Sequence, residues 1–121
     1  MTRDRKTAEI SGRKAELVAL WYLRLKGYRL LVYRYKSPMG EIDLIMRKGE
    51  TTAFIEVKSR GTIDGAVSSV TPFQSKRISA AARSFMSRNA KANRQFCRFD
   101  IIAICPYHWP RHIENAFDGD A

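Results

Sequence analysis

Two carboxylates and a lysine on neighbouring strand-like runs carry the densest chemistry in the sequence. Asp43 lies in the run from Glu41 to Arg47, Glu56 and Lys58 lie in the run from Thr52 to Lys58, and Gly49-Glu50 reads as a tight hairpin turn between them. A two-residue turn sets Lys48 opposite Thr51 and, counting back, pairs Ile42 with Val57, Leu44 with Ile55 and Met46 with Ala53 on one apolar face. The other face then sets Glu41 against Lys58 and Asp43 against Glu56, with Ile45 and Phe54 beside them. A slip of one residue would place Asp43 against Ile55 and bury charge with the core, so the apolar pattern selects the first register.

Opposed carboxylates repel, and a sequence that keeps them usually places positive charge between them. Lys58 is one such charge, and a divalent cation such as Mg²⁺ or Mn²⁺ would be the other. Hard cations take carboxylate and carbonyl oxygens, which points to Asp43, Glu56 and the Val57 carbonyl as ligands, with Glu41 as a further candidate. Such a cation activates water against a phosphodiester, and Lys58 would orient or deprotonate that water and offset charge on the phosphate. The simpler reading of the same residues is a solvated hairpin face carrying ordinary cross-strand ion pairs.

The elements that must position this hairpin can be read from periodicity. Ser11 to Lys26 carries Val18, Trp21, Tyr22 and Leu25 at helical spacing, and Gly27 ends that helix. Tyr28 to Tyr35 reads as a strand broken by Ser37-Pro38, and Ser59 to Val70 has no periodicity, which predicts a mobile loop directly downstream of Lys58. Thr71-Pro72-Phe73-Gln74 has the signature of a helix start, and the stripe Ile78, Ala81, Ala82, Phe85 carries the helix to about Asn89. Phe96 to Ile104 is a further strand closed by Pro106, and Ile113 to Phe117 is expected as a short edge strand. Residues 1–10 then form a flexible basic tail, 11–117 a single domain, and 118–121 a second tail.

The chain has 121 residues, room for one domain and too few for two ordinary ones. Its 22 Lys and Arg against 12 Asp and Glu leave a net charge of +10, which points to a polyanionic partner, nucleic acid first, and on charge alone fits a merely soluble basic protein equally well. The longest apolar stretch, Leu17 to Leu23, falls short of the roughly 18 residues of a membrane span, and no signal-peptide pattern follows the charged N-terminus. A cytoplasmic protein with no membrane partner is expected, with Cys97 and Cys105 as reduced thiols.

Glu41-Ile-Asp43 followed by Phe54-Ile-Glu56-Val-Lys58 resembles the split PD-(D/E)xK nuclease motif, with Ile42 where the motif's name has proline. More specifically, Gly-Glu-Ile-Asp-Leu-Ile, Phe-Ile-Glu-Val-Lys-Ser-Arg, Val70-Thr-Pro and Arg98-Phe-Asp-Ile resemble the bacterial YraN family, in order from about Gly12 to Phe117. The resemblance implies an α/β restriction-endonuclease-like fold, a mixed sheet flanked by two main helices as in archaeal Holliday-junction resolvases. It also implies a Mg²⁺- or Mn²⁺-dependent endonuclease, structure-selective for branched or junction DNA, and a homodimer. Its alternative is a nucleic-acid-binding module of the same fold that has weak or no catalysis and works through protein partners.

Glu16 joins the catalytic set through the same resemblance, since such nucleases often bring a helix-borne Glu to the metal. Its helical neighbours Gly12, Ala19, Leu20 and Leu23 are largely apolar, an odd row for a solvated carboxylate, although Glu16 also suits the positive end of its helix. Lys36, Arg60, Gln74, Lys76, Arg77 and Arg83 are the candidate nucleic-acid contacts, each otherwise an ordinary surface group; the family often has a basic residue where Gln74 stands. Cys105, His108 and His112 have zinc-like spacing but lack a fourth ligand and are interrupted by Pro106 and Pro110. Arg98 and Asp100 share a strand face and are expected to form a structural ion pair.

Overall fold

A computed structural model describes residues 12–93 and 96–117, so the tails expected at 1–10 and 118–121 lie outside the described residues. β1 (Arg29–Ser37), β2 (Gly40–Lys48) and β3 (Thr51–Ser59) form an antiparallel meander. β4 (Cys97–Ile104) joins parallel to β3, and β5 (Arg111–Ile113) closes the edge antiparallel, giving a mixed sheet in the order β1-β2-β3-β4-β5. A parallel neighbour needs a crossover, and the chain between β3 and β4 supplies one as α2 (Ile63–Ser68), α3 (Pro72–Ser87) and α4 (Ala90–Asn93), while α1 (Gly12–Leu25) precedes the sheet.

Alternation along the strands decides which helix covers which face. Leu44, Met46, Ala53 and Ile55 pack with Ala15, Ala19, Leu20 and Leu23 of α1, and the intervening Ile45 and Phe54 pack with Ile78, Ala81, Ala82 and Phe85 of α3. This is the α/β, restriction-endonuclease-like layout with two main helices that the sequence predicts. The start of α3 follows the expected chemistry, with Thr71 accepting from the Gln74 amide and Pro72 in the first turn. Among the described residues no helix is long and apolar enough to cross a membrane.

The β2–β3 ladder has the register that the apolar pattern selects, from Lys48–Thr51 to Leu44–Ile55, and there it stops. The expected pairs Ile42–Val57, Asp43–Glu56 and Glu41–Lys58 are not ladder pairs. The Asp43 carboxylate instead accepts a hydrogen bond from the Val57 amide at 2.8 Å, and β2 continues against β1 alone, with Ile42 opposite Tyr35 and Glu41 opposite Lys36. Ile42 also changes sides, packing with Ile45 and Phe54 beneath α3 rather than with Leu44. The alternation therefore breaks at Asp43, where the neighbouring strand has Arg34 at a left-handed φ of 56°.

Other departures are local. The segment expected as a loop after Lys58 contains α2, capped by Thr62, whose side chain accepts from the Gly65 amide. Six residues are too few for a helical period to emerge from sequence. The edge strand lies at Arg111–Ile113 rather than Ile113–Phe117, because Asn115 takes a positive φ of 53° and sends its amide to Asp100 Oδ1 instead of to a ladder partner. At the start of β2, α3 passes so close that a Cβ on Gly40 would sit 2.5 Å from the Arg77 carbonyl oxygen.

Candidate active site

The splayed end of the β2–β3 hairpin collects the acidic residues. Phe54 and Glu56 share a strand face, so Glu56 is carried toward α3, where Gln74 Nε2 donates to Glu56 Oε2 at 2.8 Å. Lys58 Nζ stands 3.2 Å from the same oxygen, and both side chains of that ion pair are largely buried. Asp43, lacking a ladder partner on β3, is tied to the Val57 amide.

Burial pushes the Glu56 carboxyl up to about 7 and the Asp43 charge pushes the same way, with Lys58 opposing both. Asp43 is also raised, first by burial and then by the Glu16 charge, against the Val57 N–H and Lys58. A proton on Glu56, donated to the Asp43 carboxylate, relieves this repulsion. With that proton in place the pair carries one negative charge, which Lys58 balances; without it the pair carries one more than Lys58 alone can balance.

Glu16 approaches from α1. It is buried at 9% exposure, and its Oε1 accepts from Arg34 Nε at 2.8 Å and from the Tyr33 hydroxyl at 2.9 Å. Desolvation, followed by this donation to Glu16, keeps the Tyr33 hydroxyl protonated above its usual range. Tyr33 and Arg34 are the two members of the site that the sequence reading missed. Both sit in an ordinary-looking strand run, and nothing in its pattern announces the left-handed residue that turns the Arg34 guanidinium toward Glu16.

Among the described residues no group of three or more His, Cys, Asp and Glu side chains is gathered to hold a metal ion. Asp43 and Glu56 face one another, while Glu16 is held aside by Arg34 and Tyr33. Cys105 packs against Ala66 and Ala103, His112 bonds to Asp100 and His108 is exposed, so those three do not converge.

The family comparison comes to bear on this geometry, because the matched segment holds every acid in it. The model of "Uncharacterised protein family UPF0102" matches residues 15–104, from just before Glu16 to the end of β4. The chain belongs to the UPF0102 family. It is 43% identical over 114 residues to the UPF0102 protein of Chelativorans sp., covering 94% of this chain and 92% of that one. It is similarly 42% identical over 123 residues to UPF0102 protein amb4503 of Paramagnetospirillum magneticum, covering 98% and 95%. The UPF0102 protein mlr4633 of Mesorhizobium japonicum is 43% identical over 116 residues, covering 96% and 93%.

The remaining candidates of this UPF0102 chain are dispersed. Glu41 is exposed opposite Lys36 on β1, on the side of β2 away from β3. Arg60 is exposed just beyond β3 and donates to the Ser59 carbonyl. Lys76 and Arg77 are exposed one turn past Gln74, with the Arg77 guanidinium over the Phe73 ring. Arg83, bonded to Ser79 Oγ, lies about 13 Å further along α3. Gln74, expected as a phosphate contact, is instead a direct partner of Glu56.

Proposed function

We propose that this UPF0102 chain is a YraN-type member of the PD-(D/E)xK nuclease superfamily, a Mg²⁺- or Mn²⁺-dependent endonuclease acting on DNA. The observation that supports it best is the half-buried Asp43 beside the buried Glu56, with Lys58 Nζ 3.2 Å from Glu56. Two neighbouring carboxylates partly withdrawn from water, with one lysine beside Glu56, are a costly arrangement and a sound one for holding a cation.

Asp43 and Glu56 would hold the cation, with the Val57 carbonyl beside them, and Glu16 is the reserve carboxylate once Arg34 releases it. A divalent cation held there would polarise a phosphate and acidify a water. Lys58 would orient an attacking water and balance charge gathering on the phosphate, and Gln74 fixes one Glu56 oxygen by its hydrogen bond. The net charge of +10 supports a nucleic-acid substrate by drawing phosphates to the surface.

The same reading takes a homodimer as the assembly. Trp21, Leu25 and Trp109, exposed at 63%, 81% and 84%, line a groove with Leu17 and Pro110, an apolar surface suited to a second copy.

The test is cleavage of labelled four-way junction, flap, nicked, linear and single-stranded DNA with Mg²⁺, Mn²⁺ or EDTA. Metal-dependent cutting of any member that Glu56→Gln abolishes supports the enzyme, and preference for branched members supports structure selectivity. Tight binding with no cutting across the panel overturns the enzyme in favour of a binding module.

A further inference from the structure

We propose that the turn end of the β2–β3 hairpin holds a second, non-catalytic phosphate-binding site, built from Arg29, Arg47 and Lys91. Arg29 and Arg47 are direct cross-strand partners in the β1–β2 ladder, where like charges destabilise a sheet. Together with Lys91 of α4 and the backbones of Gly27 and Gly49 they line a concavity of about 430 Å³. Among the described residues no carboxylate forms an ion pair with any of the three cations. The nearby Glu50 is exposed in the turn, and Arg47 Nε donates to the Gly49 carbonyl at 3.0 Å.

The contrast with the other end of the hairpin gives the site its meaning. There Lys58 pairs with Glu56, whereas here three cations line one concavity and, among the described residues, none of them pairs with a carboxylate. Gly27 and Gly49 have φ of 98° and 61° and put bare backbone on the rim, open at Gly49 and flanked by the Lys48 side chain at Gly27. Two guanidinium forks and an ammonium suit the oxygens of a phosphate, and the forks add geometric selectivity.

Arg47 is about 13 Å along β2 from Asp43, so a phosphate bound here is not the one presented to the carboxylates. Its natural source is a second stretch of the same polyanion. That assignment rests on nucleic acid being the partner, while the anion chemistry rests on these residues alone.

The test compares the wild-type chain with Arg29→Gln/Arg47→Gln and with Arg13→Gln/Arg24→Gln, which removes the same charge from exposed positions on α1. Melting curves are taken with and without inorganic phosphate and pyrophosphate, and duplex affinity is measured across salt. Without phosphate the Arg29/Arg47 variant is expected to melt at or above the wild-type temperature, since it loses a repulsive pair. Phosphate should raise the melting temperature of the wild type and the α1 variant and leave this one unmoved. Its duplex salt slope should fall by about two, and by more than that of the α1 variant.

Equal phosphate shifts in all three proteins would overturn the site. A phosphate shift lost in the variant with duplex affinity unchanged would overturn its nucleic-acid assignment and leave a small phosphate compound as the ligand. No step depends on cleavage, so an inactive wild type would count against the endonuclease and not against this site.

Discussion

Lys58 and Gln74 reach the same oxygen of Glu56, one from β3 and the other from the first turn of α3. On the proposed endonuclease reading, the charged partner would bear on chemistry and the neutral one on orientation. Lys58→Ala is expected to lower metal-dependent cleavage by at least about 100-fold, as loss of a proton-transfer or charge-balancing group does. DNA affinity should change little, since one cation among 22 adds little to a distributed field. Single-turnover cleavage and equilibrium binding measured on the same variant separate the two, and wild-type cutting rates in Lys58→Ala would remove it from the mechanism.

Gly40 and Arg77 make a different kind of contact. Any side chain at Gly40 meets the Arg77 backbone, and a helix backbone does not swing aside as a flexible side chain does. Gly40→Ala should therefore destabilise the fold by about 1–3 kcal/mol, the range for forcing a methyl into a packed site. Arg77→Ala, which keeps the backbone in place, should not relieve that cost. Urea unfolding of the two single variants and the double decides it, and a Gly40→Ala protein as stable as wild type would show that α3 can lift away from β2.

Asp100 is fully buried and accepts from Arg98 Nε and Nη2, from His112 Nε2 and from the Asn115 amide. Burial alone would raise its carboxyl, but donation by His112, Arg98 and Asn115 outweighs it and holds Asp100 below its usual range. The stability from this group is therefore present at neutral pH and lost as pH falls through the lowered value. Asp100→Ala leaves the half-buried Arg98 with only the exposed Glu114 carboxylate, 3.6 Å away, among the described residues and should cost about 3 kcal/mol. Chemical denaturation at pH 7 measures it, and a loss below about 1 kcal/mol would reduce the network to a solvated ion pair.

The parts of the fold that sequence revealed are those where burial and charge point the same way. Leu44, Met46, Ala53 and Ile55 are apolar on one face, so the β2–β3 register followed, and with it the approach of Asp43 to Glu56. The Arg98–Asp100 pair and the capped start of α3 were legible for similarly local reasons. Ile42 was misplaced because both faces of this sheet are covered, so an apolar residue fits on either side and carries no parity signal. Arg34 was missed because its role depends on one backbone dihedral, and the end of the ladder because a carboxylate replaces a backbone partner at Val57.

Glu56 is the group through which metal and pH should meet. Its folded value of about 7 lies above its ordinary 4.5, so between those values the folded chain holds a proton that the unfolded chain has lost. The stability from this group is then present below 4.5 and lost as pH rises through about 7, on the order of 3 kcal/mol over the whole window. In EDTA the wild type should lose stability across that interval, and Glu56→Gln, with no proton to release there, should lose less. On the proposed metal-dependent reading, a divalent cation would take the place of that proton and bind only the folded chain. Mg²⁺ or Mn²⁺ should therefore raise the wild-type melting temperature more at pH 8 than at pH 5. Asp43→Asn and Glu56→Gln relieve the carboxylate repulsion, so each should melt at or above wild type in EDTA while losing the cation shift. Melting curves of the three proteins at both pH values test these opposite signs together. Equal cation shifts in all three would place the bound metal elsewhere, and Asp43 and Glu56 would then have to be read as a partly buried pair sharing a proton.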